Sequence, residues 1–212
     1  MKRLVLASAS PRRRALVGPL GLPQRAMAVN LDEAAYLLAD PLLAAINVAV
    51  AKARAVEPEA DDVILAADTL VVADGQILGK PADAEHAARL LRHLRGRGRQ
   101  VVSGVALRAA GEMSWCGAVA TTVVMRGYAE PDIEAYIARG EPFDKAGAYA
   151  VQDEVFRPVE RLEGCYLNVV GLPLCAVAAG LTALGVGIEC AGPPPCNYCR
   201  AGAAVTSIRS VH

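Results

Sequence analysis

A chain of 212 residues with 22 Lys and Arg against 22 Asp and Glu has no net charge to recruit nucleic acid or a membrane surface, so attraction to an anion must be local. At 54% hydrophobic but only 4% aromatic it has ample material for an aliphatic core and little for stacking bases. Its length suits one large domain or two small lobes. The apolar run after Met1-Lys2-Arg3 is too short for a signal peptide, and no run approaches the roughly 18 apolar residues of a membrane helix. A soluble, cytoplasmic protein is the expectation, with its six cysteines not paired as disulfides.

In chain order, Leu4-Val5-Leu6 reads as a short buried strand leading into Ala7-Ser8-Ala9-Ser10-Pro11-Arg12-Arg13-Arg14. Pro11 suits the first turn of a helix and Ser10 the N-cap. Clustered arginines at a helix start are unfavourable unless an anion is present, so the stretch is either a phosphate site or a capped surface helix with solvated arginines. A short apolar piece, Ala26–Val29, precedes the carboxylates Asp32-Glu33. Pro41 to Glu57 has helical apolar spacing with no internal Gly or Pro, and carries Lys52.

Val63–Ala67 reads as a central strand buried on both faces. Asp68 then interrupts the apolar run, at the expected C-terminal side of that strand, where α/β folds bind ligands. A carboxylate there is either a cap or a site residue that must be bonded, paired or metal-bound. Ala73-Asp74-Gly75-Gln76 signals a hairpin, and Gly79-Lys80-Pro81 follows with a lysine between a flexible and a rigid residue. Asp83 to Leu94 is an amphipathic helix. Arg95-Gly96-Arg97-Gly98-Arg99 reads as a basic flexible loop, solvated or phosphate-facing.

Val101–Leu107 and Ala118–Met125 are expected as an antiparallel strand pair, and Pro131–Arg139 as a helix ended by Gly140. Glu141 to Gln152 packs charged, small and amide residues into one loop-to-strand stretch; small residues let a ligand approach the backbone, and Gln152 can pair two-fold with a base edge. Val169–Pro173 closes the core and Pro173–Leu184 is the last helix. From about Gly185 the character changes, and the division expected is a domain over 1–186 and a Pro- and Cys-containing tail over 187–212. The tail's default is a loose extension; Cys196 and Cys199, with Cys190 and His212, could be drawn into a metal site only at irregular spacings.

These stretches together resemble the Maf family of nucleoside triphosphate pyrophosphatases, over about Lys2 to Leu184. The resemblance is carried by Leu6–Arg13, Asp32-Glu33, Ala51-Lys52-Ala53, Ala67-Asp68-Thr69, Gly79-Lys80-Pro81, Ser103-Gly104-Val105, Asp144–Tyr149 with Gln152, and Val170–Pro173. It implies an α/β, two-lobed, ITPase-like fold with a long central mixed sheet flanked by helices, an inter-lobe cleft, and a homodimer. It also implies hydrolysis of nucleoside triphosphates to monophosphate and pyrophosphate with Mg²⁺ or Mn²⁺, in house-cleaning of the nucleotide pool and with a link to arrest of cell division. Asp144–Tyr149 and Gln152 match the branch acting on dTTP and UTP; the alternatives are N7-methyl-GTP as substrate, or a non-catalytic nucleotide-binding regulator.

Carried onto this chain, the resemblance makes Asp68 the general base and a metal ligand with Glu33. Ser8, Ser10, Arg12 and Arg13 would grip phosphates, Lys52 and Lys80 would add point charges, and Thr69, Tyr149 and Gln152 would read the nucleotide. Two departures stand out. Arg99 and Ser103 occupy places where the family has His and Thr, and Asp153-Glu154 follows Gln152, adding negative charge near the expected base pocket.

Overall fold

The computed structural model describes residues 2–110, 112–187 and 206–208, with the backbone alone for 112–114 and 206–208. Among the described residues, six α-helices (α1 Pro11–Val17, α2 Pro41–Arg54, α3 Ala84–Leu94, α4 Glu130–Ala138, α5 Tyr166–Val170, α6 Leu174–Ala183) accompany a mixed sheet. Its strands are β1 Arg3–Ala7, β2 Gln24–Met27, β3 Asp62–Ala73, β4 Gln76–Leu78, β5 Gly98–Ala109, β6 Glu112–Met125, β7 Val159–Glu163 and β8 Thr206–Ile208. The order is β2-β1-β3-β5-β6-β7, with β4 on β3 and β8 on β6. β1 runs parallel to β2 and β3, whereas β4 is antiparallel to β3 and β7 and β8 are antiparallel to β6. The expected mixed α/β architecture is the one observed. The tail residues Thr206–Ile208 pair with Cys116–Ala118, so this part of the tail is a strand of the sheet; Cys190, Cys196, Cys199 and His212 lie outside the described residues.

The chain divides into two compact units: Met1–Thr69 with Val102–Ala120 and Cys165–His212, and Leu70–Val101 with Thr121–Gly164. In the first unit, alternation along β3 sends side chains to two separate cores. Val63, Leu65 and Ala67 join Val17, Leu167, Leu174, Val177 and Trp115; Ile64 and Ala66 join Ile46, Ala49, Val50 and Ala53 of α2. Two sequence devices bring α2 close. Its N-terminus is fixed by Asp40, whose Oδ1 accepts from the Leu43 amide at 2.9 Å, and two of its four core residues on this face, Ala49 and Ala53, are alanines. Opposite Ala45 stands Gly104 of β5, where a Cβ would lie 2.2 Å from the Ala45 carbonyl oxygen, so only glycine lets the helix backbone sit there.

In the second unit, Asp74-Gly75 makes the expected hairpin, with Val72 opposite Ile77. Asp83 caps α3 by accepting from the His86 amide at 2.7 Å. Tyr128, Tyr136 and Phe156 form an aromatic cluster, the Tyr136 and Phe156 rings stacked with centroids 4.4 Å apart.

Two expectations need correction. β3 continues through Asp68 to Ala73, so Asp68 lies mid-strand rather than at its C-terminal side. The basic loop ends earlier than its composition suggests: β5 starts at Gly98, and Arg99 is a buried strand residue.

Candidate functional site

Strand alternation in the first unit puts Asp68 and Thr69 on opposite faces of β3. Asp68 has the parity of Ile64 and Ala66 and faces α2; Thr69 has that of Leu65 and Ala67.

On the α2 face, Lys52 sits in the last turns of the helix. Its Nζ lies 2.8 Å from Asp68 Oδ1 and 2.7 Å from Glu33 Oε1. Lys52 and Asp68 are both buried, whereas the Glu33 side chain is 54% exposed. The ammonium therefore joins a buried carboxylate to one open to solvent. Asp32 and Glu33 divide their labour: Asp32 caps the short 3-10 turn Glu33–Tyr36 by accepting from the Ala34 amide at 3.2 Å, and Glu33 reaches the lysine. Asn47 of α2 donates to the Tyr36 carbonyl at 2.8 Å, tying this turn to the helix that carries Lys52.

On the other face the phosphate-loop candidates organise themselves inward. Ser8 Oγ accepts from the Ser10 amide at 3.2 Å, and Ser10 Oγ from the Arg13 amide at 3.4 Å, the N-cap expected from the sequence. Arg13 turns back into the unit, donating from Nε to the Gly171 carbonyl at 2.9 Å and from Nη2 to Thr69 Oγ1 at 3.1 Å. Thr69 Oγ1 shares a 2.8 Å hydrogen bond with Ser103 Oγ. Burial lowers the Arg13 pKa from its ordinary value, while the charges of Asp68 and Glu33 oppose that shift. The guanidinium thus senses both carboxylates. Arg12 is exposed, and Arg14 donates to the Ala9 carbonyl at 3.3 Å, so Arg13 is the arginine of this cluster that is bonded to Thr69.

Of the residues expected from the sequence, Glu33, Lys52 and Asp68 gather in one cluster, while Ser8, Ser10, Arg13 and Thr69 are linked by hydrogen bonds in another, on the opposite face of β3. Sequence reasoning had not anticipated Ser103 as the partner of Thr69 or Gly171 as the acceptor for Arg13. Both stand in motifs already noticed. What hid them is that a backbone carbonyl carries no sequence signal, and that serine's hydroxyl performs threonine's bonding role without its methyl group.

Lys80, Tyr149 and Gln152 belong to the second unit. Lys80 and Gln152 are exposed and Tyr149 is buried. The Gly147 amide donates to the Gly79 carbonyl at 3.0 Å, joining the Gly79-Lys80-Pro81 and Asp144–Tyr149 stretches. The Arg99 guanidinium lies over the Tyr149 ring, 3.9 Å from its centroid. Asp153 is not a loose negative charge: it pairs with Arg139 and accepts from the amides of Val155 and Phe156, at 3.1 and 2.6 Å.

Among the described residues no group of three or more His, Cys, Asp and Glu gathers to hold a metal unaided. Glu33 and Asp68 nonetheless fit a hard divalent cation of the kind bound by one or two carboxylates, with substrate phosphate completing its shell. Their lysine pairs engage one oxygen of each carboxylate.

The fold and site define a mixed α/β protein with an acid–lysine cluster on one face of a sheet and an anchored arginine on the other. The family model described as Maf-like protein matches residues 3–184, and the chain belongs to that family. It is similar to the dTTP/UTP pyrophosphatase of Thermomicrobium roseum, 47% identical over 96% of each chain. The dTTP/UTP pyrophosphatase of Moorella thermoacetica is 46% identical over 89% of this chain and 98% of that one. The same-named protein of Pelotomaculum thermopropionicum is 44% identical over 89% of this chain and all of its own. A HAM1 protein from Coxiella burnetii is a remote structural likeness, with a TM-score of 0.45 and 16% identity over 60% of this chain and 75% of that one.

Proposed function

We propose that this protein is a nucleoside triphosphate pyrophosphatase that cleaves dTTP and UTP to the monophosphate and pyrophosphate. Relatives at 44–47% identity carrying that name support the reaction and the substrates. The observation that carries the mechanism is Lys52 held 2.8 Å from Asp68 and 2.7 Å from Glu33. In this reading, water attacks the α-phosphorus while Asp68 accepts its proton, the bond from the α-phosphorus to the bridging oxygen breaks, and pyrophosphate leaves with that oxygen. Lys52 orients Asp68 and fixes Glu33 beside it. Glu33 and Asp68 would hold Mg²⁺ or Mn²⁺, which when bound neutralises phosphate charge. Arg13, held in place by Gly171 and Thr69, meets phosphate oxygens together with Arg12, Ser8 and Ser10. Lys80 adds charge, and Thr69, Tyr149 and Gln152 contact the nucleoside. The same reading takes the protein as a cytoplasmic homodimer.

Pyrophosphate release from dTTP, UTP, CTP, dCTP, purine triphosphates and N7-methyl-GTP, with Mg²⁺, Mn²⁺ or EDTA, tests this. dTTP and UTP should lead the panel, and EDTA should abolish turnover. Asp68→Asn should lose about 10²- to 10⁴-fold in kcat with nucleotide affinity largely kept. Near-normal turnover by that variant would remove Asp68 as the base.

A further inference from the structure

Arg99 is a buried charge for which the proposed mechanism has no use. It is 3% exposed, and its Nε, Nη1 and Nη2 find no hydrogen-bond acceptor among the described residues. Its neighbours are better provided for. Three cations, Arg99, Arg95 and Arg126, act on the nearby Tyr128 phenol. Arg95 pairs with Glu130 and Arg126 with Asp132, each at 3.5 Å, but Arg99 has no such carboxylate. A guanidinium does not shed its proton and accepts no hydrogen bond, so it cannot relieve its own burial. What it has is the flat face of Tyr149, 3.9 Å away. Such a residue weakens the fold unless acceptor oxygens meet it.

We propose that Arg99 is a specificity-determining residue whose guanidinium, carried on the Tyr149 ring, donates to the carbonyl oxygens of a uracil or thymine base. This rests on the pyrimidine triphosphate reading above. The chemistry selects the base class. Uracil and thymine each present two ring carbonyls, whereas cytosine replaces one with an amino group that meets a donor-only side chain badly. A site built to hydrogen-bond one group discriminates strongly against an analogue lacking it, because buried polar atoms are then left unmatched. The two adjoining planar groups, a guanidinium fork and an aromatic ring, suit a flat heterocycle better than a tetrahedral phosphate.

The test compares the full-length protein with Arg99→Met and Arg99→Lys in kcat/KM for UTP, dTTP, CTP and dCTP, alongside thermal melting without nucleotide. Arg99→Met should lose about tenfold or more on UTP and dTTP while CTP and dCTP change little, so the preference collapses. Its nucleotide-free melting temperature should not fall, since an unmatched buried charge has gone. Arg99→Lys keeps the charge without the fork and should lose part of the preference; it carries the test if the methionine variant does not fold. An unchanged UTP-to-CTP ratio, or an equal loss on all four nucleotides, would overturn the assignment in favour of a structural or phosphate-binding arginine. A wild-type protein inactive on all four would overturn the function reading instead, and this inference with it.

Discussion

Lys52 bonds to two carboxylates at almost the same distance, and the surroundings of each decide how much each bond is worth. At 2.8 Å between buried partners, an effective dielectric near 20 gives Lys52–Asp68 a gross attraction of about 6 kcal/mol. Glu33 lies 2.7 Å from the same ammonium but is 54% exposed, and a water-like dielectric reduces its attraction to about 1.5 kcal/mol. Desolvation and side-chain ordering offset much of both. We therefore expect a coupling of about 3 kcal/mol for Lys52–Asp68 and under about 1 kcal/mol for Lys52–Glu33. Lys52→Met alone leaves the Asp68 carboxylate buried opposite a thioether and should destabilise by about 3–5 kcal/mol, while Lys52→Met with Asp68→Asn should recover much of that loss. The assay is urea unfolding of the two double-mutant cycles, read by fluorescence. Trp115, the single tryptophan, packs in the core of the unit that carries the pair, so the signal follows the right part of the molecule. A Glu33 coupling equal to or above that of Asp68 would refute the reasoning that burial sets the strength of the site's charges.

The glycine opposite α2 gives a second expectation. Gly104→Ala places a methyl group 2.2 Å from the Ala45 carbonyl oxygen, a backbone atom that cannot swing aside, and should destabilise by more than about 3 kcal/mol in the same unfolding assay. A near-neutral result would mean that the α2 backbone yields easily. The third concerns acid. The Arg3 hydrogen bond, with help from the Glu59 amide and Arg25 and against burial, holds the Asp62 carboxyl below its ordinary range. A depressed folded-state pKa contributes stability that is complete above the ordinary carboxylate value and is lost as pH falls through the folded one. Asp62→Asn should accordingly flatten the decline of stability below about pH 4, and parallel acid limbs for variant and parent would count against this network.

Local signals made much of this legible. Ser10 before Pro11, Asp83 before the α3 pattern and Asp74-Gly75 between apolar runs each act through atoms only a few residues apart, so the chain announces them and the structure has them. The family was legible for a related reason: its motifs are short runs that keep their order along the chain. The physical difference between neighbours was not. The resemblance picks Glu33 over Asp32, but only the cap on Ala34 and the reach to Lys52 give that choice a structural reason.

What the sequence by itself determined is most of the elements, with β7, α5 and β8 left out, and the chemical types expected for the site. The tertiary structure alone decided where a strand could tolerate charge. An aspartate within an apolar run reads as a strand's end, because locally nothing compensates it; β3 runs on past Asp68 because α2, held close by its alanines and Gly104, delivers an ammonium from 16 residues earlier. The same alternation that puts Asp68 on the lysine puts Thr69 on Arg13. At Arg99 the reverse occurs: a composition that reads as solvated loop becomes a buried strand cation on an aromatic face. Burial and pairing depend on residues distant in the chain, and they exist only once the sheet has formed.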